Sequence, residues 1–307
     1  MTRCALLLIP ILFAYAASGG DSALPDKYRD KGELIVSTFA SAPFPHPKRS
    51  EGHKYKTENY SAAEHYSDST VAIFIPKDFT ETGTNDFVVH FHGWRQHLPG
   101  VLDHYKPIEQ LIESRRNAIL IVPPGPKDAP DSFGGKLEDE GGFTRFMTEV
   151  LQTLKQKSAL KNKDAAIGQI ILSGHSGGYQ VISSIVDRGG LTDHVKEVWL
   201  FDALYAQTDK FLIWFEKGNK RFIDLYTDHG GTKQETEALM ATLKSKNVKF
   251  VFGNESEMKI TELPNTGAIF IHTDLAHDDT VDKHSTFRDF LLTSNLHAIP
   301  ATAAASK

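Results

Sequence analysis

Cysteine is nearly absent from this 307-residue sequence: the single one, Cys4, lies inside an apolar N-terminal segment. Beyond residue 4 there is no thiol, so a disulfide framework and a cysteine nucleophile are both excluded. Internal repeats and long low-complexity linkers are missing too. Neither sign of charge dominates, with 34 Lys and Arg against 39 Asp and Glu. That balance, with a pI near 6.3, supplies no electrostatic footprint for nucleic acid or an anionic membrane.

What is present divides the chain in two. Arg3 precedes an almost unbroken apolar run from Ala5 to Ala17, and small residues follow at Ala14-Tyr15-Ala16 and Ala17-Ser18-Gly19. This is the pattern of a signal peptide over residues 1–19, with export to the periplasm or outside the cell as the expectation. The run is shorter than the ~20 apolar residues of a spanning helix, so no stable membrane insertion is expected after cleavage. No small-residue box frames Cys4, which argues against a lipid-modified cysteine. An exported chain without disulfides must hold its fold by core burial, and roughly 285 remaining residues are enough for that.

Residues 20–70 are rich in Pro, Lys, Ser and charge, and read as an N-terminal extension packed on the main domain, with one strand at 33–38. From residue 71 to about 300, short apolar runs alternate with helix-spaced segments. Strands are expected at 71–75, 87–91, 118–122, 169–172, 197–201, 222–226, 248–252 and 268–272. Helices are expected at 142–157, 178–188, 232–246 (opening on Thr232 as N-cap) and 282–292, with the apolar patch 211–215 in a further one. Such alternation implies an α/β fold: a mostly parallel sheet of about eight strands with helices on both faces. The loop-like stretch 131–142 follows a strand's C-terminal end, the edge at which parallel sheets bind ligands.

The sharpest motif is Gly174-His175-Ser176-Gly177-Gly178, which joins a buried-strand pattern to a helical one. A serine on so tight a turn needs small residues two before and two after, or the neighbouring backbone collides with it. Ser176 is therefore the candidate nucleophile. Its hydroxyl requires a base, and His277, in the loop after the strand 268–272, is the candidate; His272 lies within that strand and His284 in the following helix. A carboxylate must orient the histidine. Asp202 and Asp228 both close strands between Ser176 and His277, and the pattern leaves the choice between them open. Oxyanion donors are expected from the N–H of Gly177 and, through the turn His92-Gly93-Trp94, from that of Trp94.

From about residue 71 to 292 the chain resembles the α/β-hydrolases. The His-Gly turn, the Gly-x-Ser-x-Gly elbow, the strand-end aspartates and the late histidine occur in that family's order. The extra strand at 248–252 departs from the pattern. The resemblance implies hydrolysis of an ester or amide through an acyl-serine, without a cofactor, and implies no particular substrate. A carboxylic ester of a small molecule or polymer is the leading expectation. A serine peptidase or amidase on the same residues, and a binding protein retaining the fold, are the alternatives. The series His90, His92, His97 lacks a matching carboxylate cluster, so no metal is expected. Trp94, Tyr179, Tyr205 and Trp214 either line an acyl or carbohydrate pocket or are ordinary core aromatics, and Lys136, Glu138, Asp139 and Glu140 could add polar contacts to the substrate.

Overall fold

Apolar runs without alternation belong to strands covered on both faces, and such runs build the centre of this molecule. The computed structural model describes residues 24–299, so the expected signal segment lies outside the described residues. The strands are β1 (Gly32–Thr38), β2 (His53–Tyr55), β3 (Glu58–Tyr60), β4 (Thr70–Pro76), β5 (Thr84–Phe91), β6 (Ile119–Val122), β7 (Ala166–His175), β8 (Val195–Phe201), β9 (Arg221–Thr227), β10 (Phe250–Asn254) and β11 (Gly267–Thr273). Nine of them form one sheet in the order β1-β4-β6-β5-β7-β8-β9-β11-β10. Only β4 runs against the rest, pairing antiparallel with both β1 and β6.

Period-two alternation sends neighbouring side chains of one strand into opposite layers. Val198 and Leu200 of β8 join a core with helices Gly142–Gln156, Tyr179–Ser184, Thr208–Phe215 and Lys233–Ser245. Trp199 and Phe201 face the other way, onto helices Leu98–His104, Pro107–Ser114 and Thr286–Leu292. The extra strand, β10, is an edge strand outside β11, so it widens the sheet while leaving the β9–β11 pairing intact.

Before the first strongly apolar strand, the chain is already part of the fold, since β1 lies along β4 from Gly32↔Pro76 to Thr38↔Thr70. The small β2–β3 hairpin lies apart from the main sheet. Its segment HKYKTENY has no apolar alternation, so its composition gives no strand signal.

Beneath β8 and β9 lies a buried ion pair. Arg221 Nη1 donates to Glu197 Oε2 at 2.8 Å, and Trp199 Nε1 donates to the same oxygen at 3.0 Å. Both charged side chains are essentially inaccessible to solvent, and full hydrogen bonding is what makes such burial tolerable.

Candidate active site

Parallel strands deliver their C-terminal ends to one edge of a sheet. At that edge β5 ends before His92-Gly93-Trp94, β7 before Ser176, β8 before Asp202 and β11 shortly before His277. Ser176 has a left-handed backbone, φ +52°, which turns its side chain out of the strand. The 3₁₀ turn Ser176–Gly178 and then helix Tyr179–Ser184 follow. The steric need for glycine is direct at Gly178, where a Cβ would lie 2.7 Å from the carbonyl oxygen of Phe91 on β5.

His277 Nδ1 is 2.7 Å from Asp202 Oδ2, and Asp202 is completely buried. The carboxylate also accepts from Thr227 Oγ1 at 2.7 Å, from Thr227 N at 3.2 Å and from Thr232 Oγ1. Burial raises the Asp202 pKa, but the bonds from His277, Thr232 and Thr227 outweigh it and hold the group below the ordinary carboxylate value. An acceptor-only carboxylate at Oδ2 means that Nδ1 of His277 carries the hydrogen, which leaves Nε2 as a lone pair.

Asp228, the other strand-end aspartate, is exposed. It binds Lys233 Nζ at 2.7 Å and lies 3.2 Å from His272 Nε2. The structure therefore brings Asp202, and not Asp228, onto His277. His284 is a surface residue 3.2 Å from Glu255.

Gly93 packs directly on the serine: a Cβ there would sit 2.5 Å from Ser176 Cβ and 3.1 Å from its Oγ. The Trp94 indole lies over Gly177, 2.9 Å from where a Cβ would be, and its Nε1 donates to Ser132 Oγ at 2.7 Å. Trp94 and Gly177 are thus adjacent to one another and to Ser176. Tyr205 completes the surroundings, with its ring 6.5 Å from that of His277 and 5.7 Å from Tyr179. Its hydroxyl donates to the Gly230 carbonyl at 2.7 Å. Burial and the Asp202 charge push it up to about 12, against a contact with Ser176.

Several expectations are corrected. Trp214 is fully buried in the core, where helix Thr208–Phe215 packs on the sheet, with Lys220, just before the N-terminal end of β9, over its ring and so at the opposite edge. Three of the charged residues expected to add polar contacts are occupied elsewhere: Glu138 accepts from Gly134 N and Gln180 Nε2, Lys136 donates to the Ala40 carbonyl, and Asp139 faces His46. Ser132 of the same stretch does reach the site, through Trp94. Thr232 stands at the expected N-cap position of its helix, but its hydroxyl makes no capping bond and goes to Asp202 instead.

The three histidines of the early series part company. His90 meets Ser173 Oγ, His92 accepts from Gly125 N, and His97 pairs with Asp128. Two other sets, His175–His277–Asp278 and Asp228–His272–Asp274, gather metal-type donors within 4.8 Å. In the first, both nitrogens of His175 and Nδ1 of His277 already have partners. In the second, Asp228 already holds Lys233.

No protein-family model matches the chain, and no curated protein matches it. Solved structures do. Substrate-bound FphF, a fluorophosphonate-binding serine hydrolase of Staphylococcus aureus, is similar with a TM-score of 0.50 at 11% identity, over 85% of this chain and 99% of that one. The feruloyl esterase module from Clostridium thermocellum, complexed with sinapinate, gives 0.50 at 8% identity, over 87% and 90%. At such identities the likeness speaks for architecture, and it agrees with the strand order and the elbow: the chain has the α/β-hydrolase fold.

Proposed function

We propose that the protein is a serine hydrolase that cleaves a carboxylic ester through an acyl-serine intermediate. The observation that carries this reading is the pair Asp202–His277 at 2.7 Å, on the same sheet edge as a left-handed Ser176 flanked by Gly93, Trp94 and Gly177. In this reading Nε2 of His277 takes the Ser176 proton as Oγ attacks the ester carbonyl. Asp202 stays ionised and stabilises the imidazolium. The N–H groups of Gly177 and Trp94 receive the oxyanion. His277 then returns the proton to the leaving alcohol, and water, deprotonated by the same nitrogen, releases the acid.

The exposed Trp94 beside a half-buried Tyr205 suits an ester presented by a small molecule or by a polymer chain. Export is part of the proposal, supported by the apolar run that follows Arg3 at the N-terminus. A panel of p-nitrophenyl esters of increasing acyl length, run beside peptide substrates and with excess EDTA, tests the reading. Ester turnover insensitive to chelator is expected. Peptide cleavage without ester turnover would shift the assignment to a peptidase, and loss of activity in EDTA would contradict a metal-free mechanism.

A further inference from the structure

We propose that His175, the residue between Gly174 and Ser176 in the elbow, is a positioning residue that holds His277 in register with the nucleophile through the backbone carbonyl of His277. The inference rests on the reading of Ser176 and His277 given above.

The loop that carries His277 needs such an anchor. None of residues 274–279 is buried, so apolar packing does not fix them. His175 is buried at the end of β7, and its Nε2 lies 3.0 Å from the carbonyl oxygen of His277. A carbonyl only accepts, so Nε2 carries the hydrogen and Nδ1 is the lone pair. The Tyr105 hydroxyl, 2.8 Å from Nδ1, is then the donor there. Tyr105 is itself fully buried just after helix Leu98–His104. The chain of bonds runs in one direction, from Tyr105 to His175 to the His277 backbone.

Two further contacts serve the same end. Thr280 Oγ1 donates to the same carbonyl at 3.0 Å, and the rings of His175 and His277 lie 4.6 Å apart at 40°. With Asp202 on Nδ1, His277 is held by its side chain from one direction and by its backbone from another. His175 is covalently joined to Ser176, so this bond links base and nucleophile by a path one peptide longer than the contact itself. Burial and the neighbouring His277 press the His175 pKa down to about 3, so at neutral pH its ring is a single-donor imidazole.

The test compares wild type with His175→Leu, His175→Gln and Tyr105→Phe, reading kcat and KM on an ester that wild type turns over, with a melting temperature for each. A displacement of about 1 Å costs on the order of 10²-fold, so His175→Leu should lose about that much kcat with KM unchanged. His175→Gln keeps an N–H donor at similar reach and should recover most of the loss. Tyr105→Phe should lower kcat several-fold, because it frees Nδ1 and permits the wrong tautomer. Wild-type kcat in folded His175→Leu would overturn the proposal, as would a His175→Gln variant no better than His175→Leu. If His175→Leu does not fold, the other two variants decide: wild-type kcat in Tyr105→Phe together with His175→Gln at the level of an inert core substitution would overturn it. Failure of a fluorophosphonate to label wild type would instead remove the reading of Ser176 on which this one stands.

Discussion

Replacing Asp224 with asparagine should favour the folded state more in alkali than in acid, relative to wild type. Asp224 lies on β9, completely buried, with Oδ2 accepting from Thr236 Oγ1 at 2.6 Å and Oδ1 without a partner. Burial pushes its pKa from 3.8 up to about 7, opposed by the Thr236 bond and helped by the charge of Asp202. The native state therefore keeps a proton that the unfolded chain releases above pH 3.8. Between those values the unfolded state binds fewer protons, so stability falls as pH rises and levels off above pH 7 or so. At about 1.4 kcal/mol per unit, the full shift corresponds to about 4 kcal/mol. Asparagine never ionises, so its stability relative to wild type should rise by about 3 kcal/mol between pH ~4.5 and pH ~8.5. Its unpaired amide adds an offset common to both conditions, so the difference is the diagnostic quantity. Urea unfolding followed by tryptophan fluorescence measures it. An advantage that does not change with pH would refute the reasoning.

Other residues carry equally definite expectations. Asp202→Asn offers His277 an amide and the wrong tautomer, so kcat should fall by about 10⁴-fold, while exposed Asp228→Asn should leave it unchanged; steady-state kinetics on one ester separates them, and the reverse order would contradict the pairing. Gly93→Ala inserts a Cβ 2.5 Å from Ser176 Cβ, and should cost on the order of 10²-fold in fluorophosphonate labelling rate and about 1–3 kcal/mol in stability. Wild-type labelling in that variant would show that the turn does not press on the serine. Arg221→Met leaves Glu197 buried and uncompensated, and should destabilise by about 3–5 kcal/mol. A urea midpoint unchanged from wild type would show that Glu197 is satisfied without the arginine.

Much of this architecture is legible in the chain because the signals are local. Runs such as Ile170-Ile171-Leu172 need cover on both faces, and the glycines around Ser176 mark a turn that tolerates no bulk. The orienting acid is different. Asp202 and Asp228 look alike as strand-end residues, and what distinguishes them is tertiary: burial, and the hydroxyls of Thr227 and Thr232 arriving from the next strand and its loop. Thr232 illustrates the difficulty, since a threonine before a helical pattern signals a cap, yet its φ −96°, ψ −20° backbone and its bond to Asp202 serve the site instead. The contacts of His175, Tyr105 and Tyr205 span 70 residues or more, or depend on loop geometry, and leave no mark in spacing.

The claim on which the whole account depends is that Ser176 is the nucleophile. Incubation with a fluorophosphonate followed by peptide mapping tests it without knowledge of the substrate. The account predicts a single covalent adduct on Ser176, lost in Ser176→Ala while that variant keeps the wild-type fold. An unmodified Ser176, or an adduct on another residue that persists in Ser176→Ala, would contradict it.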